Sequence, residues 1–229
     1  MEKLIEKLER ETEPLVSHVE TDEFIKASEI AFDCIFDGTS KFYPWKMPTK
    51  IPSKFKLGVI VGSSGSGKST LLKKFGIEEV PTWDSNKSVI SHFNNPAEGI
   101  NRLSSVGFNS IPSWYKPYNV LSNGEKFRAD LARKLKSGAV IDEYTSVVDR
   151  TVAKASSVAL SRYIKNSDIE GVVLSTCHHD IVDWLEPDWV LNTDTGELLH
   201  GFFLSDQKSL SKYIAQTMIV GECLKTITI

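Results

Sequence analysis

The sequence predicts an α/β fold in which a mostly parallel sheet is flanked by helices. Short, almost wholly apolar runs occur at Leu57–Val61, 139–141 and 171–175, and each has the length of a buried strand. Segments with helical periodicity separate these runs. Apolar strands that alternate with helices form parallel sheets covered on both faces. With 229 residues, of which 41% are hydrophobic, the chain is long enough for one such domain with a substantial core.

The first 35 residues, 1–35, are predicted to form a helical extension in front of this domain. Within 1–10 the apolar residues follow helical spacing, and Pro14 ends the pattern. A second helical stretch is expected over 22–32, where apolar residues again recur at helical intervals.

The main domain is expected to span 36–229 and to contain a short helical subdomain over about 85–136. Prolines and aromatic residues in 36–54 indicate irregular strands and loops. A β-hairpin is expected over 188–199, with its turn at 194–196. Helical segments are predicted at 89–93, 97–106, 123–136 and 151–165.

Composition argues against several functions. The chain has 27 basic and 30 acidic residues, so any contact with nucleic acid would need a local basic patch. The three cysteines, Cys34, Cys177 and Cys223, form no CxxC pair, which disfavours structural zinc and is typical of reduced thiols. No run approaches the roughly 18 apolar residues of a membrane-spanning helix, and the charged N-terminus lacks the apolar core of a signal peptide. We therefore expect a soluble, cytoplasmic protein without direct membrane insertion.

A glycine-rich loop after the first buried strand matches the phosphate-binding pattern GxxxxGK[ST] at every position. Its glycines let successive backbone N–H groups point at phosphate oxygens, and the following helix adds positive potential at its N-terminus. Lys68 is expected to reach the β- and γ-phosphates, and Ser69 to bind Mg²⁺. The predicted nucleotide-binding residues of this P-loop are Gly62, Ser63, Ser64, Gly65, Ser66, Gly67, Lys68, Ser69 and Thr70.

The apolar run at 139–141 ends in two acidic residues, Asp142 and Glu143. A strand of this kind lies beside the P-loop strand in P-loop enzymes. We expect Asp142 to hold Mg²⁺ through water and Glu143 to polarise the water that attacks the γ-phosphate. Two surface acids after a strand are the alternative, and the P-loop upstream makes the catalytic interpretation the stronger one.

Four later segments carry the patterns of a known family. They are LSNGE at 121–125, IDEYTSVVD at 141–149, TCHHD at 176–180 and the hairpin at 188–198. In this order they resemble the signature, the Walker B strand with its D-loop, the histidine switch and the closing hairpin of ABC-type ATPases. Arg128 and Arg133 match arginines of the family's signature helix. The resemblance covers residues 36–201.

The resemblance implies an ATP hydrolase that uses ATP and Mg²⁺ in a head-to-tail homodimer. Ser122 and Gly124 would contact the γ-phosphate bound by the partner copy, and Asp149 would lie at the seam between the copies. Glu143 and a histidine at the end of a strand would carry hydrolysis. The implied fold is that of an ABC-type P-loop NTPase with a short helical subdomain.

Two parts of the implied site have competing candidates. For the histidine switch, spacing from the strand and the Cys-His-x-Asp wording favour His178, whereas the adjacent Asp180 favours His179. Adenine in this family stacks on an aromatic ring upstream of the P-loop. The candidates are Phe36, Phe42, Tyr43 and Trp45, with Phe42 or Tyr43 preferred.

Departures from the family pattern shape the functional prediction. Glu125 replaces the usual signature glutamine, as it does in DNA-maintenance members of the family. The Q-loop glutamine is missing, because both glutamines of the chain lie beyond residue 200. At its expected place stands PTWD, 81–84, in which Asp84 is either a metal-side substitute or a structural residue.

The wording of 121–133, 141–153 and 177–189 is closest to bacterial and phage ABC ATPases that are often fused to a predicted GNAT acetyltransferase, a domain for which this chain has no room. We therefore expect a switch in nucleic-acid or phage-related processes. The alternatives are a nucleotide-binding subunit of a membrane transporter and an ATPase partner of a separate acetyltransferase.

Overall fold

The computed structural model describes residues 4–200 and contains two sheets. The strands are β1 (Leu4–Lys7), β2 (Leu15–His18), β3 (Thr39–Phe42), β4 (Leu57–Val61), β5 (Val140–Ile141), β6 (Val172–Thr176), β7 (Trp189–Asn192) and β8 (Glu197–His200). The helices are α1 (Glu23–Phe32), α2 (Lys68–Leu72), α3 (Pro96–Ser105), α4 (Ile111–Trp114), α5 (Asn123–Lys134), α6 (Arg150–Asn166) and α7 (Ile181–Leu185). Two short 3₁₀ turns lie at Val89–His92 and Tyr118–Val120.

The main sheet has the order β1-β8-β7-β4-β6-β5. β4 lies between β6 and β7 and is parallel to both, and β5 is parallel to β6. The expectation that the strand before Asp142 and Glu143 lies beside the P-loop strand is wrong, because β6 lies between β4 and β5 and pairs with both. β8 and β1 are added antiparallel at the other edge. Helices flank this mostly parallel sheet, so the predicted α/β fold class is confirmed.

Both faces of the central strand β4 are buried, which explains its unbroken apolar sequence. Val59 and Val61 belong to a core that α3, α5, α6 and α7 cover. Ile60 belongs to a second core, which contains Leu71 and Leu72 of α2 and Trp189 of β7. The carboxyl ends of β4, β5 and β6 therefore open at one edge of a rigid, doubly covered sheet, where catalytic loops of this architecture are found.

The helix predicted over 1–10 is wrong. Residues Leu4–Lys7 form β1, which pairs antiparallel with β8. Leu8 follows the strand, is buried, and donates its backbone N–H to the carbonyl of Gly196 at 2.7 Å. The apolar positions that resemble a helical pattern thus serve a strand and the residue after it, because pairing with a distant strand outweighs local propensity.

The second N-terminal helix is confirmed as α1. Asp22 caps it, since its carboxylate accepts the N–H of Ile25 at 2.9 Å. β2 and β3 flank α1 in sequence and pair with each other in a separate two-stranded sheet. The division of the chain at residue 35 stays a prediction.

Most elements predicted for the main domain are present. α3, α5 and α6 lie close to the predicted helices, and β7 and β8 form the expected hairpin. α4 and α7 have four and five residues, too few for a periodic pattern to reveal. The predicted end of the domain at 229 and Cys223 lie outside the described residues, and no helix within 4–200 has the length and apolarity to cross a membrane.

Candidate nucleotide site

The glycine-rich loop connects the end of β4 to the start of α2 and is held in a tight curve. Gly67 has φ +98°, and a Cβ there would lie 2.7 Å from the Phe42 ring. A side chain on Gly62 would approach the Thr193 hydroxyl to 2.1 Å. Only glycine fits these two positions, so the loop sequence is a requirement of its backbone path and of its close neighbours.

The turn between β7 and β8 holds this loop from the side. Asp194 accepts the backbone N–H of Ser63 at 3.0 Å and its hydroxyl at 2.6 Å. The hydroxyls of Thr193 and Ser66 lie 2.6 Å apart, and Thr193 also donates to the carbonyl of Val61 at 3.1 Å. Sequence reasoning assigned this turn to the hairpin alone. Its contact with the loop follows from the pairing of β7 beside β4, which sequence spacing does not reveal.

A cavity of about 340 Å³ opens over the loop. Its lining is Phe42, Ser64, Gly65, Gly67, Lys68, Ser69, Thr70, Asp142, Glu143, Ser146 and Cys177. The structure thus brings most of the predicted P-loop residues together with both acids that follow β5. The ammonium of Lys68 is 2.7 Å from the carbonyl of Ser63. Phe42, Ser146 and Cys177 add a ring, a hydroxyl and a thiol to the set predicted for phosphates.

Asp142 is held as a carboxylate at the base of this cavity. Burial opposes its ionisation, but hydrogen bonds from Ser175, Ser69 and the N–H of Glu143 offset burial and lower its pKa. Ser175 lies buried in β6 and donates to Oδ1 of Asp142. Sequence reasoning missed Ser175, because only the pairing of β5 with β6 brings it to the acid.

Glu143 adopts the left-handed backbone conformation, with φ 49°. Its N–H donates to Oδ1 of Asp142 at 2.9 Å and to the hydroxyl of Ser175 at 3.3 Å. A non-glycine residue in this region is strained, and such strain clusters at functional sites. The conformation leaves the Glu143 side chain exposed at the cavity while its backbone is fixed.

The comparisons with known proteins bear on this fold. No protein-family profile and no curated protein matches the sequence. The structure is similar to the dimeric bacterial ABC transporter cassette MJ0796, with a TM-score of 0.50 and 15% identity over 67% of this chain and 87% of that one. It is also similar to the dimeric, post-hydrolysis state of the ATP-binding cassette MJ0796 bound to ADP and Pi, with a TM-score of 0.50 and 14% identity over 81% of this chain and 93% of that one.

This chain has the fold of an ABC-type ATP-binding cassette.

The segment predicted as the signature lies outside the lining of this cavity. Neither Ser122 nor Gly124 lines it, and neither does Asp149. Ser122 caps α5: its hydroxyl accepts the N–H of Glu125 at 3.4 Å, and the Glu125 carboxylate accepts the Ser122 N–H at 2.9 Å. Glu125 thus completes a reciprocal capping box, so the departure from glutamine preserves the start of the helix. Asp149 caps α6 in a similar way.

The two histidines after β6 differ in the surroundings of their rings. Nδ1 of His178 is 3.5 Å from the hydroxyl of Thr145, and burial, then the charge of Arg150, lower the His178 pKa. Nδ1 of His179 is buried without a hydrogen-bond partner within residues 4–200, and burial lowers its pKa as well. Cys177 lines the cavity, but neither histidine does. The choice of His178 stays a prediction.

Of the aromatic candidates for adenine, Phe42 is the one that lines the cavity. Tyr43 is 45% exposed and outside the lining. Trp45 is buried beneath the loop, where its indole N–H donates to the carbonyl of Ser66 at 3.0 Å and the Arg10 guanidinium lies 3.6 Å from its ring. Phe42 is therefore the better placed of the two preferred rings.

Asp84, the candidate for the missing Q-loop glutamine, makes local contacts. Its carboxylate accepts the N–H of Asn86 at 2.9 Å, and its own N–H donates to Nε2 of His92 at 2.9 Å. It does not line the cavity that contains Asp142 and Glu143. These contacts favour the structural role of Asp84 in its loop.

Proposed function

We propose that this chain is an ATP hydrolase that binds Mg-ATP and completes its active sites in a head-to-tail homodimer. The observation that carries the proposal is the cavity itself, in which the glycine-rich loop, Lys68, Ser69, Asp142 and Glu143 meet. The ABC-cassette fold, with the P-loop in its expected place, supports it.

Each residue has a part that follows from its position. The loop N–H groups and Lys68 bind the phosphates, and the ring of Phe42 offers a face for adenine. Ser69 and Asp142 have the hard oxygen donors that Mg²⁺ prefers, and both line the cavity. Magnesium would neutralise charge on the β- and γ-phosphates. Glu143 accepts a proton from the attacking water and orients it.

The dimer is proposed because the residues of the predicted signature do not reach the nucleotide cavity of their own chain. Ser122 and Gly124 begin α5, a 12-residue helix whose N-terminus favours anions. They do not line their own chain's cavity, so a second copy must bring them to ATP. A head-to-tail pair related by a two-fold axis supplies both sites at once, and both similar structures are dimeric.

In the cell, we place this switch in the cytoplasm, in nucleic-acid or phage-related processes. The signature ending in Glu125 and the wording of the motifs support this role, and the free, exposed thiols of Cys34 and Cys177 suit a reducing compartment. A pull-down from the native host tests the process. DNA among the captured molecules supports the proposal, whereas a permease or an acetyltransferase would replace it with one of the two alternatives.

The direct test of the chemistry is ATP binding and turnover by the wild type and by Lys68→Ala. Wild type is expected to bind Mg-ATP in calorimetry and to release phosphate, and Lys68→Ala to lose binding because it removes the loop's cation. Lys73→Ala, on the same helix's C-terminal side, is the matched control and should keep wild-type affinity. Equal affinity of Lys68→Ala and wild type would refute the P-loop assignment.

A further inference from the structure

A half-buried carboxylate joins three segments near the predicted signature. Asp130 of α5 accepts the indole N–H of Trp83 at 2.8 Å and the hydroxyl of Tyr118 at 2.6 Å, one on each oxygen. The two rings stack on each other, with centroids 4.7 Å apart and planes 7° apart. We name these three residues the Asp130 network. It ties the loop at the Q-loop position and the 3₁₀ turn before the signature to the signature helix.

The network is suited to be rigid. Both hydrogen bonds are made to a charged acceptor, which makes them stronger than neutral ones. Burial, and then the Asp130 charge, raise the pKa of Tyr118, so its hydroxyl remains a donor. Arg133, less than one turn further along α5, places its guanidinium 4.8 Å from the Trp83 ring and donates to the carbonyl of Thr82.

The network brackets the signature in sequence. Tyr118 precedes Leu121 by three residues, and Asp130 follows Glu125 by five. Because α5 is a rigid rod, the anchor at Asp130 fixes where its N-terminus points. Asn123 lies about 10 Å along the axis from Asp130 at 1.5 Å per residue, so a tilt of roughly 10° would move the helix start by about 2 Å. A displacement of about 1 Å is enough to cost a reaction 10²-fold.

None of the three residues lines the nucleotide cavity. Tyr118 and Asp130 do line a second cavity of about 450 Å³, which extends to Asp142 and Glu143 of the same chain. An effect of the network therefore has two routes: through α5 to a partner's ATP, or through this cavity to its own chain's acids. Both hydrogen bonds end on Asp130 of α5, which favours the first route.

We propose that Asp130, Trp83 and Tyr118 are positioning residues that aim Ser122 and Gly124 at the ATP bound by the partner copy. The inference rests on the proposed head-to-tail dimer. It also assigns a role to the loop 81–84, which lacks the Q-loop glutamine. In this role Trp83 orients the signature helix, and the loop needs no contact with the metal.

The test is complementation between two inactive variants. In a mixed dimer of Asp130→Ala and Lys68→Ala chains, one site combines the intact P-loop of the first with the intact signature of the second. Random mixing is expected to restore roughly a quarter of wild-type turnover, since half of the dimers are mixed and each has one good site. Ser122→Arg mixed with Lys68→Ala calibrates the experiment, because Ser122 belongs to the signature itself.

Each outcome is decisive. Recovery equal to the calibrating pair supports the inference. Recovery in the calibrating pair alone means that Asp130 acts on its own chain's acids, which overturns the inference and leaves the proposed function intact. No recovery in either pair refutes the completion of each site by the partner chain and, with it, the inference; ATP binding by the P-loop is tested separately by Lys68→Ala.

A milder variant keeps the test valid where Asp130→Ala does not fold. Tyr118→Phe removes one hydroxyl and is expected to lower turnover about five- to tenfold, since a hydrogen bond to a charged group is lost. ATP affinity of the monomer should stay within about twofold, because the P-loop is untouched. Tyr115→Phe makes the same change on an exposed ring and should behave as wild type. A Tyr118→Phe variant with wild-type turnover, or one that loses affinity as much as turnover, would overturn the inference.

Discussion

On the proposed function, the P-loop side and the signature side of the molecule differ in how far a single chain prepares them for ATP. On the P-loop side, Lys68, Asp142 and Glu143 meet at one cavity, and the side chains of Asp142 and Ser175 accept the backbone N–H of Glu143. On the signature side, Ser122 caps α5 but lines neither the nucleotide cavity nor the second one. The glycine-rich loop is thus part of a formed cavity, whereas Ser122 and Gly124 line neither of the two cavities.

This difference separates the groups that are expected to set ATP affinity from those that are expected to set the rate of hydrolysis. On the proposed function, a single chain binds the phosphates and magnesium, so ATP affinity is a property of the monomer. On the proposed function, the transition state also needs the N–H and hydroxyl groups at the start of the partner's α5. Only interactions that are stronger in the transition state accelerate the chemical step. Variants on the two sides should therefore change different measured quantities.

The largest effect is expected from Glu143→Gln. The amide keeps the shape of the side chain but accepts no proton, so hydrolysis should fall about 10²–10⁴-fold while ATP binding persists. Because ATP then survives in the interface, this variant should be a dimer with Mg-ATP and a monomer without nucleotide in light scattering. Glu170→Gln, on an exposed loop, is the control.

Turnover of Glu143→Gln within a few-fold of wild type would remove Glu143 from the water-positioning role. A variant that stays monomeric at high protein concentration and saturating ATP would instead contradict the division of the site between two chains.

A smaller effect is expected from Ser175→Ala, which removes a donor from the Asp142 carboxylate. The acid is then less well oriented, and half-saturation by Mg²⁺ should need about tenfold more metal, as for a lost hydrogen bond to a charged group. Metal titration of ATP turnover measures this. Ser161→Ala is the matched control, since Ser161 is also buried but donates to the backbone carbonyl of Leu185 and not to the acid. An unchanged Mg²⁺ requirement would argue against Ser175 as a support of Asp142.

A change of about three- to fivefold in ATP affinity is expected from Thr193→Val. The methyl group cannot replace the hydroxyl that meets Ser66 and the carbonyl of Val61, so the glycine-rich loop becomes less ordered before binding. Turnover at saturating ATP should change little. Thr195→Val, in the same turn but bonded to Glu197, should leave affinity unchanged. Equal effects of the two variants would mean that the turn matters only for the hairpin.

The smallest effect is expected from Asp84→Ala. Within residues 4–200, the hydrogen bonds and the ion pair of Asp84 go to Asn86, His92 and Lys87, so hydrolysis kinetics and their Mg²⁺ dependence should stay within about twofold of wild type. Steady-state kinetics across a magnesium titration would measure both. A large loss of turnover with a shifted Mg²⁺ dependence would restore Asp84 as the substitute for the missing glutamine.

Much of the fold and half of the site follow from local sequence. Buried strands such as Leu57–Val61 are recognisable as unbroken apolar runs, and the glycines that the P-loop conformation requires are visible in the sequence. What sequence does not reveal depends on pairing between distant strands. Strand β1 exists because β8 offers an edge, and Ser175 and Thr193 reach the site through the neighbours of β4 and β5. Such contacts carry no periodic signal along the chain.

The contact between the β7–β8 turn and the glycine-rich loop has a consequence for biosynthesis. Ser63 and Asp194 are separated by 131 positions in the chain. At translation speeds of about 5–20 residues per second, the loop would wait on the order of ten seconds for the turn to be made. The first strand waits longer for its partner β8, because the paired residues Leu4 and Leu199 are 195 positions apart. On the proposed function, we expect the nascent chain to bind nucleotide only after residue 194 has left the ribosome. An incompletely synthesised chain would then not bind ATP.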